Sequence, residues 1–99
     1  MVELEVIWSK KASLQLEQSL KYLREKSIIS ADKVKEEILS TSRNLSHHPE
    51  IHSLDRYKTN NDGSIRAFER YSYRISYQVT EKQVIILRVR HTSRQPLKH

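Results

Sequence analysis

Near its C-terminal end the chain carries a run of apolar strand residues straight into RVRHTSRQP, residues 88–96. Arg88, Arg90 and Arg94 set fixed guanidinium charges around His91. A guanidinium fork matches the oxygens of a phosphate and keeps its charge at physiological pH. His91 is the one well-placed group whose unperturbed pKa lies near neutrality, so it can act as an acid or a base. The stretch therefore suits an anion held by arginine, with a proton carried by histidine. The bland alternatives are a strand-end histidine bonded to a backbone carbonyl and solvated arginines on a sheet surface.

Other chemistries find little support. HHPEIH puts His48 and His52 at the spacing of a zinc-binding helix, but Pro49 between them spoils that spacing and no cysteine or third ligand accompanies them. No metal and no cofactor is expected. Catalytic triads, phosphate-cradling glycine loops and paired carboxylates are missing, and the single glycine belongs to a turn.

Charge points the same way as the arginines. Residues 1–50 carry eight basic and eight acidic side chains, and residues 51–99 carry ten basic and four acidic, so the whole net charge of +6 lies in the second half. Seven of those ten cations are arginine, which favours a polyanionic partner: nucleic acid or an acidic protein segment. Cysteine is absent, which rules out thiol chemistry and a disulfide framework. No apolar stretch is long enough to span a bilayer, and the N-terminus lacks the order of a signal peptide. A cytoplasmic protein of one domain, residues 1–99, is expected.

The elements that must position these residues follow from periodicity. Val2, Leu4, Val6 and Trp8 alternate as in a strand. Ser9 is placed to cap a helix over about 10–26, whose inner stripe is Ala12, Leu16, Leu20 and Leu23. Ser30 is read as the cap of a second helix with Ala31, Val34, Ile38 and Leu45 on its inner face, ended before Pro49. A polar stretch over 46–64 closes at an Asp-Gly turn, where Gly63 takes positive φ without penalty. Ile65–Arg70, Tyr73–Val79 and a last run to Arg90 read as strands, the final two joined at Glu81-Lys82.

The order β-α-α-β-β-β gives an α+β fold: a small, mostly antiparallel sheet with a helical hairpin on one face. Strict alternation puts Tyr73, Ile75, Tyr77 and Val79 with Ile85, Leu87 and Val89 toward the helices. Arg74, Ser76, Arg88 and Arg90 then fall on the uncovered face, with Arg94 just beyond. Arg74 has a second reading, as a cross-strand partner of Glu3 or Glu5.

In this order the chain resembles the RelE/ParE superfamily of toxins from bacterial type II toxin–antitoxin systems. VIWSKKASLQLEQSLKYL is similar to the opening strand and helix start, and ILSTSRNLSHHP to the end of the second helix. IRAFERYSYRISYQV is similar to the strand pair, and IILRVRHTSRQP to the closing strand and its H-x-x-R-x-P ending. The resemblance implies the fold just described and a cytoplasmic toxin silenced by a cognate acidic antitoxin. It implies one of two targets: the ribosome with its mRNA, which one branch cleaves, or DNA gyrase, which the plasmid-stabilising branch poisons without known chemistry.

On the first reading the enzyme is a metal-independent endoribonuclease. The 2′-OH attacks the adjacent phosphate, a base takes its proton, an acid protonates the leaving oxygen and cations hold the added charge. By resemblance, Arg74 and Arg94 neutralise the phosphate and His91 carries the proton. Arg56, Lys58, Arg66, Arg88 and Arg90 complete a target-binding set, Arg66 standing alone where nuclease members have a Lys-x-Lys pair. Ribosome-dependent mRNA cleavage is the expectation carried forward, with gyrase poisoning as the alternative.

Overall fold

The computed structural model describes residues 3–92. Arg94, and Val2 of the first strand pattern, lie outside them. Leu4, Val6 and Trp8 turn one face to the core as expected, and strand β1 spans Glu5–Trp8. The next residue performs two tasks. The Ser9 hydroxyl accepts from the Ala12 N–H at 3.0 Å, which caps helix α1 (Lys10–Lys26), and it lies 3.3 Å from the Leu87 carbonyl. Ala12, Leu16 and Leu20 are buried, which fixes the inner stripe of α1.

Helix α2 (Ile28–Asn44) starts earlier than the sequence pattern indicates. Ser27, not Ser30, is the cap. It is extended, with φ −163°; its N–H donates to Leu23 and its hydroxyl accepts from the Ser30 N–H at 3.2 Å. One residue thus ends α1 and begins α2. The apolar pattern missed this because the first two residues of α2 are not buried: Ile28 and Ile29 are 66% and 82% exposed. Removing an N-cap hydroxyl costs about 1 kcal/mol. Ser27→Ala is therefore expected to lower the melting temperature by roughly 4–8 °C in a chain of this size, read by thermal circular dichroism.

Strands β2 (Ile65–Arg70), β3 (Tyr73–Val79) and β4 (Gln83–His91) complete a mixed sheet in the order β1-β4-β3-β2. β1 runs parallel to β4 and the other pairs are antiparallel. Among the described residues β1 pairs with β4 alone, at the sheet edge away from β2, so β1 is not the strand neighbour of Arg74 on β3. At the β2–β3 turn both Tyr71 and Ser72 have positive φ, the requirement of a type I′ hairpin. Gly63 has φ +96°, as its turn position demands.

The register contains one departure from strict alternation. Ser76 pairs with Arg88 but Tyr77 pairs with Ile86, so Leu87 is an extra residue in β4. Across this bulge the faces exchange. Val84 and Ile86 are fully buried with Val89, whereas Ile85 and Leu87 are only partly buried. This corrects the assignment of Ile85 and Leu87 to the helix side. Arg88 and Arg90 stay on the far side because the bulge precedes them.

The core joins α1, α2 and one sheet face through Leu16, Ile38, Phe68, Ile75, Tyr77 and Ile86. Tyr73 and Tyr77 are core residues, as their alternation implied. The Tyr77 hydroxyl donates to the Pro49 carbonyl at 2.8 Å, and burial pushes its pKa up to about 12.

A candidate basic site on the far sheet face

β3 and β4 deliver three guanidinium groups to the face away from the helices. Arg74 and Arg90 are cross-strand partners, and Arg88 is the partner of Ser76. That face is not bare. The segment from Ser53 to Asn61 folds over its β2–β3 end, held to the β2 edge by bonds from the Ala67 N–H to Ser53 and from the Asp55 N–H to Ile65. Asn61 fastens the return, its side-chain amide donating to the carbonyls of Asp55 and Ile65.

Asp55 lies at the centre of this cover, and its side chain is fully buried. Its carboxylate accepts from Arg74 Nη2 at 3.1 Å, Ser76 Oγ at 2.9 Å and the Tyr57 N–H at 3.0 Å. Arg74 also donates through Nη1 to Glu69 Oε2 at 2.8 Å. Glu69 is the cross-strand partner of Arg74 and is half exposed. The Tyr57 ring lies 4.7 Å from the Arg74 guanidinium carbon and 4.9 Å from that of Arg56. Such stacking fits the weakly hydrated guanidinium face.

The Nε atoms of Arg74 and Arg88 are buried without a hydrogen-bond partner. Burial, and then the charge of Arg90, lower the pKa of Arg88, while Asp55 opposes the shift. Beside these groups a cavity of about 170 Å³ opens, lined by Arg56, Tyr57, Glu69, Arg74, Arg90, His91 and Thr92.

His91 ends β4 and pairs with Tyr73, whose ring it meets edge-on at 5.1 Å. Tyr73 belongs to the core, so this contact packs the imidazole at the strand end, where His91 borders the far-face cavity. There it also lines a second cavity of about 310 Å³, with Gln15, Gln18, Ser19 and Tyr22 of α1. Gln15 supports this corner: β1 stops at Trp8, and the Val89 N–H donates instead to Gln15 Oε1 at 2.8 Å.

The expected site residues are therefore divided. Arg74, Arg88 and Arg90 share the far face. Arg66 does not: its register partner is Tyr77, and its Nη1 donates to the His52 carbonyl at 2.7 Å. Arg56 lies in the covering segment, bonded to the Tyr57 hydroxyl at 2.9 Å, and Lys58 follows it. Arg94 lies outside the described residues. Asp55, Glu69 and Tyr57 were not singled out from sequence. Glu69 is foreseeable once the β2–β3 register is known, but nothing local marks Asp55 as a partner for a side chain nineteen positions away.

His52 stacks on Phe68 at 5.0 Å, and burial, followed by the charge of Arg70, lowers its pKa. Among the described residues no three His, Cys, Asp or Glu side chains group to hold a metal, and no helix is long and apolar enough to cross a membrane.

Comparison with known proteins adds the family. The chain superposes on the chromosomal ParDE toxin–antitoxin system of P. aeruginosa with TM-score 0.70 at 18% identity, over 92% of this chain and 98% of that one. It superposes on the toxin–antitoxin complex RelBE2 of Mycobacterium tuberculosis with TM-score 0.54 at 21% identity, over 91% and 99%. No curated protein matches the sequence. The family model of the ParE toxin of type II toxin–antitoxin systems, parDE, matches residues 6–96, and the chain belongs to that toxin family.

Proposed function

We propose that this toxin acts by poisoning DNA gyrase, without chemistry of its own, and that a cognate acidic antitoxin silences it. The observation that carries this reading is the state of Arg74. A nuclease site needs this cation for the scissile phosphate, yet here it already binds two carboxylates, one of them fully buried. A phosphate brought there meets Asp55 and Glu69 as like charges. His91 borders the same cavity, and its edge-on contact with Tyr73 gives the expected acid–base group a packing role. The match to the ParE family supports the same choice.

Inducing the toxin in a bacterial host tests it. The expected result is gyrase-linked DNA cleavage and a DNA-damage response, with ribosome-bound mRNA intact and growth restored by the antitoxin. His91→Ala is expected to retain toxicity within about twofold, since no transition-state role is lost. Ribosome-dependent mRNA cuts that disappear in His91→Ala overturn the proposal in favour of mRNA cleavage.

A further inference from the structure

The far-face site combines an excess of cation with a carboxylate that is free to leave. Arg56, Arg74, Arg88 and Arg90 contribute four positive charges; Asp55 and Glu69 contribute two negative, leaving a local surplus of two. Buried polar groups in native proteins are nearly always paired, so two orphaned arginine Nε atoms in one cluster require a physical reason. The two carboxylates on Arg74 differ in kind. Asp55 is fully buried and holds three donors, whereas Glu69 is 51% exposed and makes one bond, on the arginine that lines the cavity. A buried pair is held firmly, but an exposed one adds about 1 kcal/mol or less.

We propose that Glu69 is an internal stand-in for a ligand, seated on Arg74 where a side-chain carboxylate of an acidic partner protein binds. Partner docking exchanges one carboxylate for another on Arg74 and brings the incoming charge close to Arg90. The ligand class follows from the cavity. At about 170 Å³ it is below the size of pockets that enclose small-molecule ligands, which favours a side-chain head group over an enclosed nucleotide. An Asp or Glu head on a flexible stem fits, and it reproduces the charge-assisted bond that Glu69 already makes to Arg74 Nη1. A backbone phosphodiester arrives flanked by sugars on both sides. The antitoxin reading supplies the identity of the acidic partner; the exchange itself is a property of the isolated toxin.

The test therefore uses toxin alone, at fixed ionic strength, with a capped hexaglutamate peptide and, separately, inorganic phosphate. Arginine Nε–Hε signals of Arg74 and Arg90 report binding. The peptide is expected to shift both signals in the wild-type protein and to free the Glu69 carboxylate, seen by its own carboxyl carbon resonance. Glu69→Gln, a half-exposed position that leaves the fold intact, is expected to bind the peptide about threefold to tenfold more tightly, because its competitor is gone. Arg90→Gln is expected to bind it more weakly. Equal affinity in wild type and Glu69→Gln, or a Glu69 resonance unmoved at saturation, overturns the exchange. Tighter binding of phosphate than of peptide overturns the carboxylate assignment. None of these outcomes depends on toxicity, so failure here is distinct from failure of the gyrase or antitoxin proposal.

Discussion

Asp55→Ala is expected to lower the unfolding free energy by about 3–5 kcal/mol, the range for breaking a buried ion pair from one side. The reason is the number of donors that this carboxylate satisfies. Without it, Arg74 Nη2, Ser76 Oγ and the Tyr57 N–H all lose an acceptor in a place that water reaches poorly. The Arg74 side chain is only 16% exposed, so its charge cannot be returned to solvent without moving β3 or the covering segment. Urea denaturation measures the loss, and in a chain of this length the melting temperature falls by roughly 12 °C or more. Asp55→Asn keeps the shape but not the charge, and falls between. A loss below about 1 kcal/mol in Asp55→Ala removes Asp55 as the organising group of the far face.

The second large effect tests the bulge in β4. Ile86→Ala is expected to cost about 2–5 kcal/mol, because the side chain is fully buried in the core shared by the sheet and the helices. Leu87→Ala, one residue on, is expected to cost about 1 kcal/mol or less, since the bulge turns Leu87 to the partly exposed side. Strict alternation demands the reverse order. Parallel denaturant titrations of the two variants decide which register the strand holds.

These two cases show what was legible in the sequence and why. The element order, the inner stripes of both helices and the burial of Tyr73 and Tyr77 follow from periods that one face of a packed element must obey. The bulge does not, because Val84 to Val89 are all apolar apart from Arg88 and look alike on either side of a strand. Its cause lies outside the strand: Ser9 and Gln15, from the start of α1, serve the backbone of Leu87 and Val89 once β1 has ended. Ser27 was overlooked for a related reason, since a cap between helices needs no apolar residue near it. The arginines of the far face were legible by alternation, but their partners were not. Asp55 meets Arg74 only after an irregular segment folds back over the sheet, and no period encodes that return. The resemblance joins His91 to Arg74, and both line the same cavity, but the edge-on packing of His91 on Tyr73 is visible only once the β3–β4 register is known.

The parallel pairing of β1 with β4 bears on how the toxin comes into being. Glu5 meets Gln83 across 78 residues, so the first strand made must wait for the last one before it has a hydrogen-bonding neighbour. Closing so long a stretch of chain is slow and comes late in folding. During synthesis the helical hairpin can form early, but the sheet that seals its apolar stripe cannot be complete until β4 has been made. Until β4 is in place, the apolar stripes of both helices have no sheet to cover them.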